Sequence, residues 1–280
     1  MRIIYEPNEM QEIAKKYREW NKKIGFVPTM GYLHEGHLSL VRQAKQENDV
    51  VFVSIFVNPT QFAPNEDLDK YPRDIKRDEE LLRKEGVDFL FYPTVDNMYP
   101  DGFQTYVNVE ELTKVLEGAS RPTHFKGVTT VVLKLFNITK PHRAYFGQKD
   151  AQQLIVIKRM VEDLNVDIDI VGMPIVREED GLAMSSRNKY LNEKDRKEAV
   201  CLYQSLQKAK ELIESGIDDT NTIKTEMKKT IESYKIPKID YININSLTTL
   251  EELNKIKKND TLISLAVFVG KTRLIDNLWI

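Results

Sequence analysis

Residues Val50–Val57, VVFVSIFV, are apolar at every position but Ser54. A strand covered on one face alternates apolar with polar residues, whereas one covered on both faces runs continuously apolar, as here. This segment therefore predicts a strand sandwiched between two layers. Working outward, Ile24–Pro28 (IGFVP) is a short apolar strand, followed by a loop and a helical stretch over His37–Glu47. On the other side, Arg73–Gly86 has Ile75, Leu81 and Leu82 at core spacing and Gly86 just past its end, the pattern of a helix and its stop. Val87–Tyr92 is the next strand; His124–Ile138 is a helix ending before Pro141; Ala144–Phe146 is a short strand. Asp150 is placed to cap a helix through Leu164, and Asp167–Val171 follows as a strand. Strand–helix alternation of this kind gives an α/β fold, a parallel sheet wrapped by helices.

The pattern changes near Val176. Asn192–Ser215 reads as one long charged amphipathic helix and Thr220–Tyr234 as a second. Three strands follow, Ile239–Asn245, Thr261–Val269 and Thr272–Trp279, the last two joined by the tight Gly270-Lys271 connection. This is a smaller α+β unit with a three-stranded antiparallel sheet, and it divides the chain into 1–175 and 176–280. A length of 280 residues suits two domains at roughly 150 each.

Composition narrows the function. Lys plus Arg is 41 against 43 for Asp plus Glu, a net charge of −2, so nothing attracts the chain as a whole to nucleic acid or an anionic membrane. Any phosphate must be held by a local arrangement. No apolar run reaches the roughly 20 residues of a membrane span, and the start, MRIIYEPNEMQEIAKKYREW, carries acids and no small-residue cleavage site, so no secretory leader is expected. The single cysteine, Cys201, excludes an internal disulfide and suits a reducing cytoplasm.

Ligands of open parallel sheets sit beyond the carboxyl ends of strands. The loop Pro28-Thr29-Met30-Gly31-Tyr32-Leu33-His34-Glu35-Gly36-His37 leaves the first buried strand there. Its glycines let a ligand approach the backbone, and a helix N-terminus near His37 favours a phosphate, toward which two imidazoles at i and i+3 can donate. Zinc is disfavoured: HEGH is one residue short of H-E-x-x-H, and the only other histidines are His124 and His142. Phe146-Gly147-Gln148-Lys149-Asp150 also closes a strand and opens a helix; Lys149 is either a solvated loop lysine or a point charge for a phosphoryl group. In Arg177–Asn188, Met184-Ser185-Ser186-Arg187 reads as a polar linker or as a phosphate clamp of hydroxyls and a guanidinium. Gln61, in Asn58-Pro59-Thr60-Gln61-Phe62, and Gln153 offer donors and acceptors to a hydroxy acid.

The His-x-Gly-His loop resembles the HIGH motif of the nucleotidyltransferase superfamily, and Met-Ser-Ser-Arg resembles its KMSKS loop. PTMGYLHEGHLSLV, SIFVNPTQF, YPR, THFKGV, FGQKDAQQL and REEDGLAMSSRN, in this order over about residues 24–191, are similar to the pantothenate synthetases, the pantoate–β-alanine ligase family. The resemblance implies a Rossmann-like N-terminal domain with a C-terminal lid, usually in a homodimer. It implies ATP-dependent condensation of (R)-pantoate with β-alanine through a pantoyl adenylate, with Mg2+ required and no protein ligand for it assigned. By the same resemblance, Met30, Gly31, Tyr32, Leu33, His34, Glu35, Gly36 and His37 line the ATP site. Gly147, Gln148, Lys149, Asp150, Val176, Met184, Ser185, Ser186 and Arg187 also contact ATP. His37, His34 and Lys149 are the implied catalytic residues, Gln61 and Gln153 bind pantoate, and Gln61 also helps to place β-alanine. Arg121 and His124 match a loop bordering the pocket.

Rival readings remain at this level. A transferase that leaves the nucleotide on its product needs basic groups near Gln61, and VNPTQF has none. A non-catalytic ATP sensor has no use for Lys149 beside both histidines. Gly270-Lys271-Thr272 imitates a P-loop end but lies between strands, Asn137-Ile138-Thr139 is a sequon without secretion, and Cys201 on an apolar helix face reads as a buried thiol.

Overall fold

The computed structural model describes residues 1–64 and 66–280. By internal contacts the chain divides into two compact units, Met1–Gln148 with Gln152–Pro174, and Lys149–Ala151 with Ile175–Ile280. In chain order the elements are β1 (Arg2–Ile4), α1 (Pro7–Glu19), β2 (Ile24–Thr29), α2 (Glu35–Glu47), β3 (Val50–Ile55), α3 (Ile75–Lys84), β4 (Phe89–Phe91) and α4 (Val95–Met98). Then come α5 (Leu116–Ser120), α6 (His124–Thr139), β5 (Arg143–Gly147), α7 (Ala151–Asp163) and β6 (Asp169–Met173). The second unit adds α8 (Glu193–Glu198), α9 (Cys201–Glu214), α10 (Thr220–Glu232), β7 (Lys238–Asn245), β8 (Leu262–Val269) and β9 (Thr272–Trp279).

The first unit is built on a six-stranded sheet in the order β1-β4-β3-β2-β5-β6, with every pairing parallel. The continuous apolar run is accounted for at β3, where all six residues are buried. Val51, Val53 and Ile55 point into a cluster with Leu40, Val41 and Ala44 of α2 and Leu82 of α3. Phe52 points the other way and meets Tyr17 of α1 edge-on, ring centroids 6.2 Å apart. Each such side chain contributes roughly 1.5–3 kcal/mol by leaving water, so a polar residue at any of them is costly.

The chain runs from β2 outward through β3 to β4, then returns to place β5 and β6 on the other side of β2. The strand order thus reverses beside β2, and the crevice beyond the carboxyl ends of β2 and β5 is where a sheet of this kind binds ligands. The loop after Thr29 leaves that edge.

In the second unit the β7-β8-β9 sheet is antiparallel, with Gly270 and Lys271 joining β8 to β9. Leu202, Leu206 and Ala209 of α9 and Ile223, Met227 and Ile231 of α10 pack with Ile263, Leu265 and Val267 of β8. One expectation fails here. Asn192–Ser215 is not a single helix but α8 and α9, separated at Ala199–Val200. Both residues keep right-handed helical angles, yet the Leu202 N–H reaches back three residues to the Ala199 carbonyl, a single tightened turn. The apolar period runs through this turn, so periodicity does not reveal it. Cys201 is buried, and burial pushes its thiol up to about 12, which suits a packing role. Among the described residues no helix is long and apolar enough to cross a membrane.

Candidate active site

The loop after β2 is held by its backbone. Gly31 and Tyr32 both take positive φ, +84° and +51°, which turns two successive N–H groups inward. The Asp78 carboxylate, in the first turn of α3, accepts from Tyr32 N at 2.6 Å and Leu33 N at 2.8 Å. Its side chain is 1% exposed. Burial pushes this carboxyl above the usual aspartate range, and the two backbone bonds pull the other way. Arg77 donates to the Leu33 carbonyl at 2.8 Å and lies over the Tyr32 ring. A side chain at Gly31 would have to share the left-handed conformation and a Cβ 2.9 Å from Ile55. Leu33 itself is core. Glu35 faces outward to Arg42, whose hydrogen bond holds its carboxyl below the ordinary range.

The two histidines begin α2 as reciprocal caps. Gly36 N–H donates to His34 Nδ1 at 3.2 Å, and His34 N–H donates to His37 Nδ1 at 3.3 Å. This is the capping-box arrangement with imidazoles in place of the usual hydroxyl and carboxylate. With each Nδ1 accepting, the ring proton of each histidine sits on Nε2. The rings are 4.1 Å apart and tilted by 45°. Two Nε2–H donors at the positive end of a helix suit an anion.

Gln61 is reached from three sides. It is buried, in the turn that follows β3, and its Nε2 lies 3.2 Å from the Met30 Sδ, bringing this turn to the loop after β2. Asn58 Nδ2 donates to its Oε1 at 3.1 Å. Its backbone carbonyl accepts from Arg121 at 3.3 Å and bonds His124 Nδ1 at 2.9 Å. Burial, then the neighbouring Arg121 charge, push His124 down to about 4, so a neutral ring donates to that carbonyl. Arg121 is paired in turn with Glu66. Thus Arg121 and His124 set the backbone of Gln61. Gly127 lets α6 lie directly on this turn: a Cβ there would come within 2.4 Å of the Thr60 carbonyl. Of the adjacent glutamines in α7, Gln152 is committed to Glu117 N, Leu112 O and Val115 O, while Gln153 is half-buried on the other side.

In the second unit, Lys149 is mostly buried, its Nζ 3.8 Å from Asp150, and its carbonyl accepts from Asn277 Nδ2 of β9 at 2.8 Å. It follows Gly147, which ends β5, and sits in the short turn Gln148–Asp150. Val176 and Met184 face each other across a tight hairpin, with Met184 N donating to Val176 O at 3.0 Å. Arg177 anchors the hairpin through a two-pronged pair with the buried Asp276, at 2.6 and 3.0 Å. Arg196 braces its tip against Glu178 and Asp180. Beyond it, Ser185 caps the turn Ser186–Tyr190 by accepting from Arg187 N, and Ser186 is buried. Sequence reasoning missed Asp78, Arg77, Asp276 and Arg196, whose only local signal is a charge on a helix or strand that normally faces water.

A family model described as pantoate-beta-alanine ligase matches residues 2–279. The chain belongs to the pantoate–β-alanine ligase family. Its relatives within that family include the pantothenate synthetases of Caldicellulosiruptor bescii, 60% identical over 99% of this chain and 98% of that one, and of Thermosipho africanus, 60% identical over 99% of each. The crystal structure of the pantothenate synthetase from Thermus thermophilus superposes with a TM-score of 0.95 at 45% identity, covering 100% of this chain and 99% of the other. The family enzyme from Francisella tularensis, complexed with beta-gamma ATP and β-alanine, matches with a TM-score of 0.81 at 40% identity, over 100% and 97%.

Proposed function

We propose that the protein condenses (R)-pantoate with β-alanine, cleaving ATP to AMP and pyrophosphate by way of a pantoyl adenylate. The observation that supports this most is the pair of Nε2–H imidazoles at the start of α2, beside the Gln61 turn, in a chain of this family.

A carboxylate is a poor acylating agent, so amide formation needs a better leaving group. The pantoate carboxylate attacks the α-phosphorus in line; the bond from that phosphorus to the bridging oxygen breaks and pyrophosphate leaves with the electron pair. Met30 through His37 and Gly147 through Asp150 take the nucleotide, with Val176 and Met184 through Arg187. Lys149 meets the charge that grows on the α-phosphoryl group, and His34 and His37 donate to the departing phosphates. Gln61 and Gln153 hold the hydroxy acid, and Gln61 also places β-alanine. The free amine of β-alanine then attacks the acyl carbonyl and AMP departs, taking the electron pair of the acyl–oxygen bond, while the amine's surplus proton passes to water. Residues 176–280 act as the lid that keeps water from hydrolysing the mixed anhydride.

Among the described residues no group of three or more His, Cys, Asp or Glu is placed to hold a metal, and the buried carboxylate against the loop, Asp78 of α3, is engaged by two N–H groups. Mg2+, which the family resemblance implies, would be held chiefly by phosphate oxygens and water and would neutralise phosphate charge, and no protein ligand is assigned to it. A reducing cytoplasm suits the lone buried thiol, and a homodimer suits the family.

Product analysis tests the reading. With ATP, pantoate and β-alanine, AMP and pyrophosphate should appear in equal amounts with the amide. Exchange of labelled pyrophosphate into ATP should require pantoate and not β-alanine; strict dependence on β-alanine would exclude the free adenylate.

A further inference from the structure

Tyr99, at the end of α4, lies 41 residues from Asn58 in sequence. Its hydroxyl donates to Asn58 Oδ1 at 2.8 Å. The same oxygen accepts from Thr60 Oγ1 at 3.0 Å and Thr60 N at 3.4 Å. On its other side, the Asn58 amide nitrogen donates to the Gly127 carbonyl at 3.2 Å and to Gln61 Oε1 at 3.1 Å. Only one amide orientation satisfies this set. Turned over, Asn58 would put an oxygen against the Gly127 carbonyl and an N–H against the Thr60 N–H. Asn58 is 1% exposed, so water cannot relieve either clash. The orientation passes on to Gln61: with Oε1 committed to Asn58, its Nε2 is turned to Met30, whose thioether is a weak acceptor that a substrate oxygen displaces.

We propose that Tyr99 is a positioning residue for the acid substrate, acting through Asn58 to present the Gln61 side chain as an N–H donor. The group that Gln61 meets is then an oxygen lone pair of the hydroxy acid, and a ligand offering a donor at that point is refused. Burial raises the Tyr99 phenol above its ordinary range, so the device works unchanged across neutral pH. The proposal rests on the reading that Gln61 binds pantoate.

Three variants separate the two. Tyr99→Phe keeps the ring in its contacts with Phe56 and Phe103 and removes only the hydroxyl. It should raise KM for pantoate roughly five- to tenfold, the loss of one hydrogen bond's worth of orientation, with KM for ATP unchanged and the melting temperature close to wild type. The Tyr99 hydroxyl also lies 3.2 Å from Thr60 Oγ1, but Thr60 itself bonds Asn58 Oδ1. Gln61→Ala should raise the same KM by more, and adding Tyr99→Phe to it should do nothing further if the hydroxyl acts through Gln61. Effects that multiply in the double variant, or a Tyr99→Phe enzyme with ordinary KM for pantoate, overturn the relay. A Gln61→Ala enzyme with ordinary KM for both pantoate and β-alanine overturns instead the assignment of Gln61.

Discussion

The loop after β2 and the hairpin over Val176–Met184 are each tied by a buried aspartate, yet the two carboxylates grip different things. Asp78 takes the N–H groups of Tyr32 and Leu33, so the path of the main chain immediately before His34 is set. Asp276 takes the Arg177 guanidinium at the base of the hairpin, ten residues before Arg187. The first device locks main-chain atoms one residue from His34; the second locks a foundation and leaves Met184–Arg187 to its own short capped turn. Two sequence elements that look equivalent as phosphate-binding loops are thus built to different tolerances.

The largest expected effect tests the proposed role of Lys149. Lys149→Ala removes the charge proposed to meet the α-phosphoryl group as it is attacked, and should slow single-turnover pyrophosphate release about a hundredfold, near 3 kcal/mol, while the protein stays folded. Near-normal release would show that the two loops suffice without it. Next, Asp78→Asn leaves one of two buried N–H groups without an acceptor, a loss of about 1–3 kcal/mol of stability. It should also lower kcat roughly tenfold by letting the histidines drift. Asp276→Asn should cost comparable stability, read by chemical denaturation, but change kcat only slightly. Equal losses of kcat in the two variants would break the comparison.

A pH-dependent effect, confined to acid conditions, sharpens it for the Gln61 turn. His124 is pushed from 6.5 down to about 4 by burial, so the unfolded chain binds a proton between these values that the folded chain refuses. The neutral ring's contribution is fully present above pH 6.5 and is lost as pH falls toward 4, up to about 3 kcal/mol. His124→Gln, measured by thermal melts across this window, should flatten that part of the stability curve. An unchanged slope would remove His124 from the account.

Much of this architecture is legible in the chain, for reasons that can be stated. The run over Val50–Val57 reports burial on both faces because each side chain meets a different helix layer. The glycines and histidines between Met30 and His37 are local to one loop, so composition and strand position expose them. Asp78 is not legible: it lies 45 residues from Leu33, and its partners are backbone N–H groups that any residue carries. Tyr99 and Asn58 are hidden for a related reason, since a hydrogen-bond relay leaves no periodicity. The split of Asn192–Ser215 into α8 and α9 escapes because the tightened turn preserves the apolar stripe.

His34 and His37 also close the first turn of α2. The helix thus begins on the same two rings proposed to meet the nucleotide phosphates, so a change at either also disturbs the helix start. For the experimenter this means that alanine at either position confounds lost chemistry with a loosened scaffold. Asparagine at 34, which retains an acceptor for the Gly36 amide, is the cleaner probe of what the imidazole itself contributes.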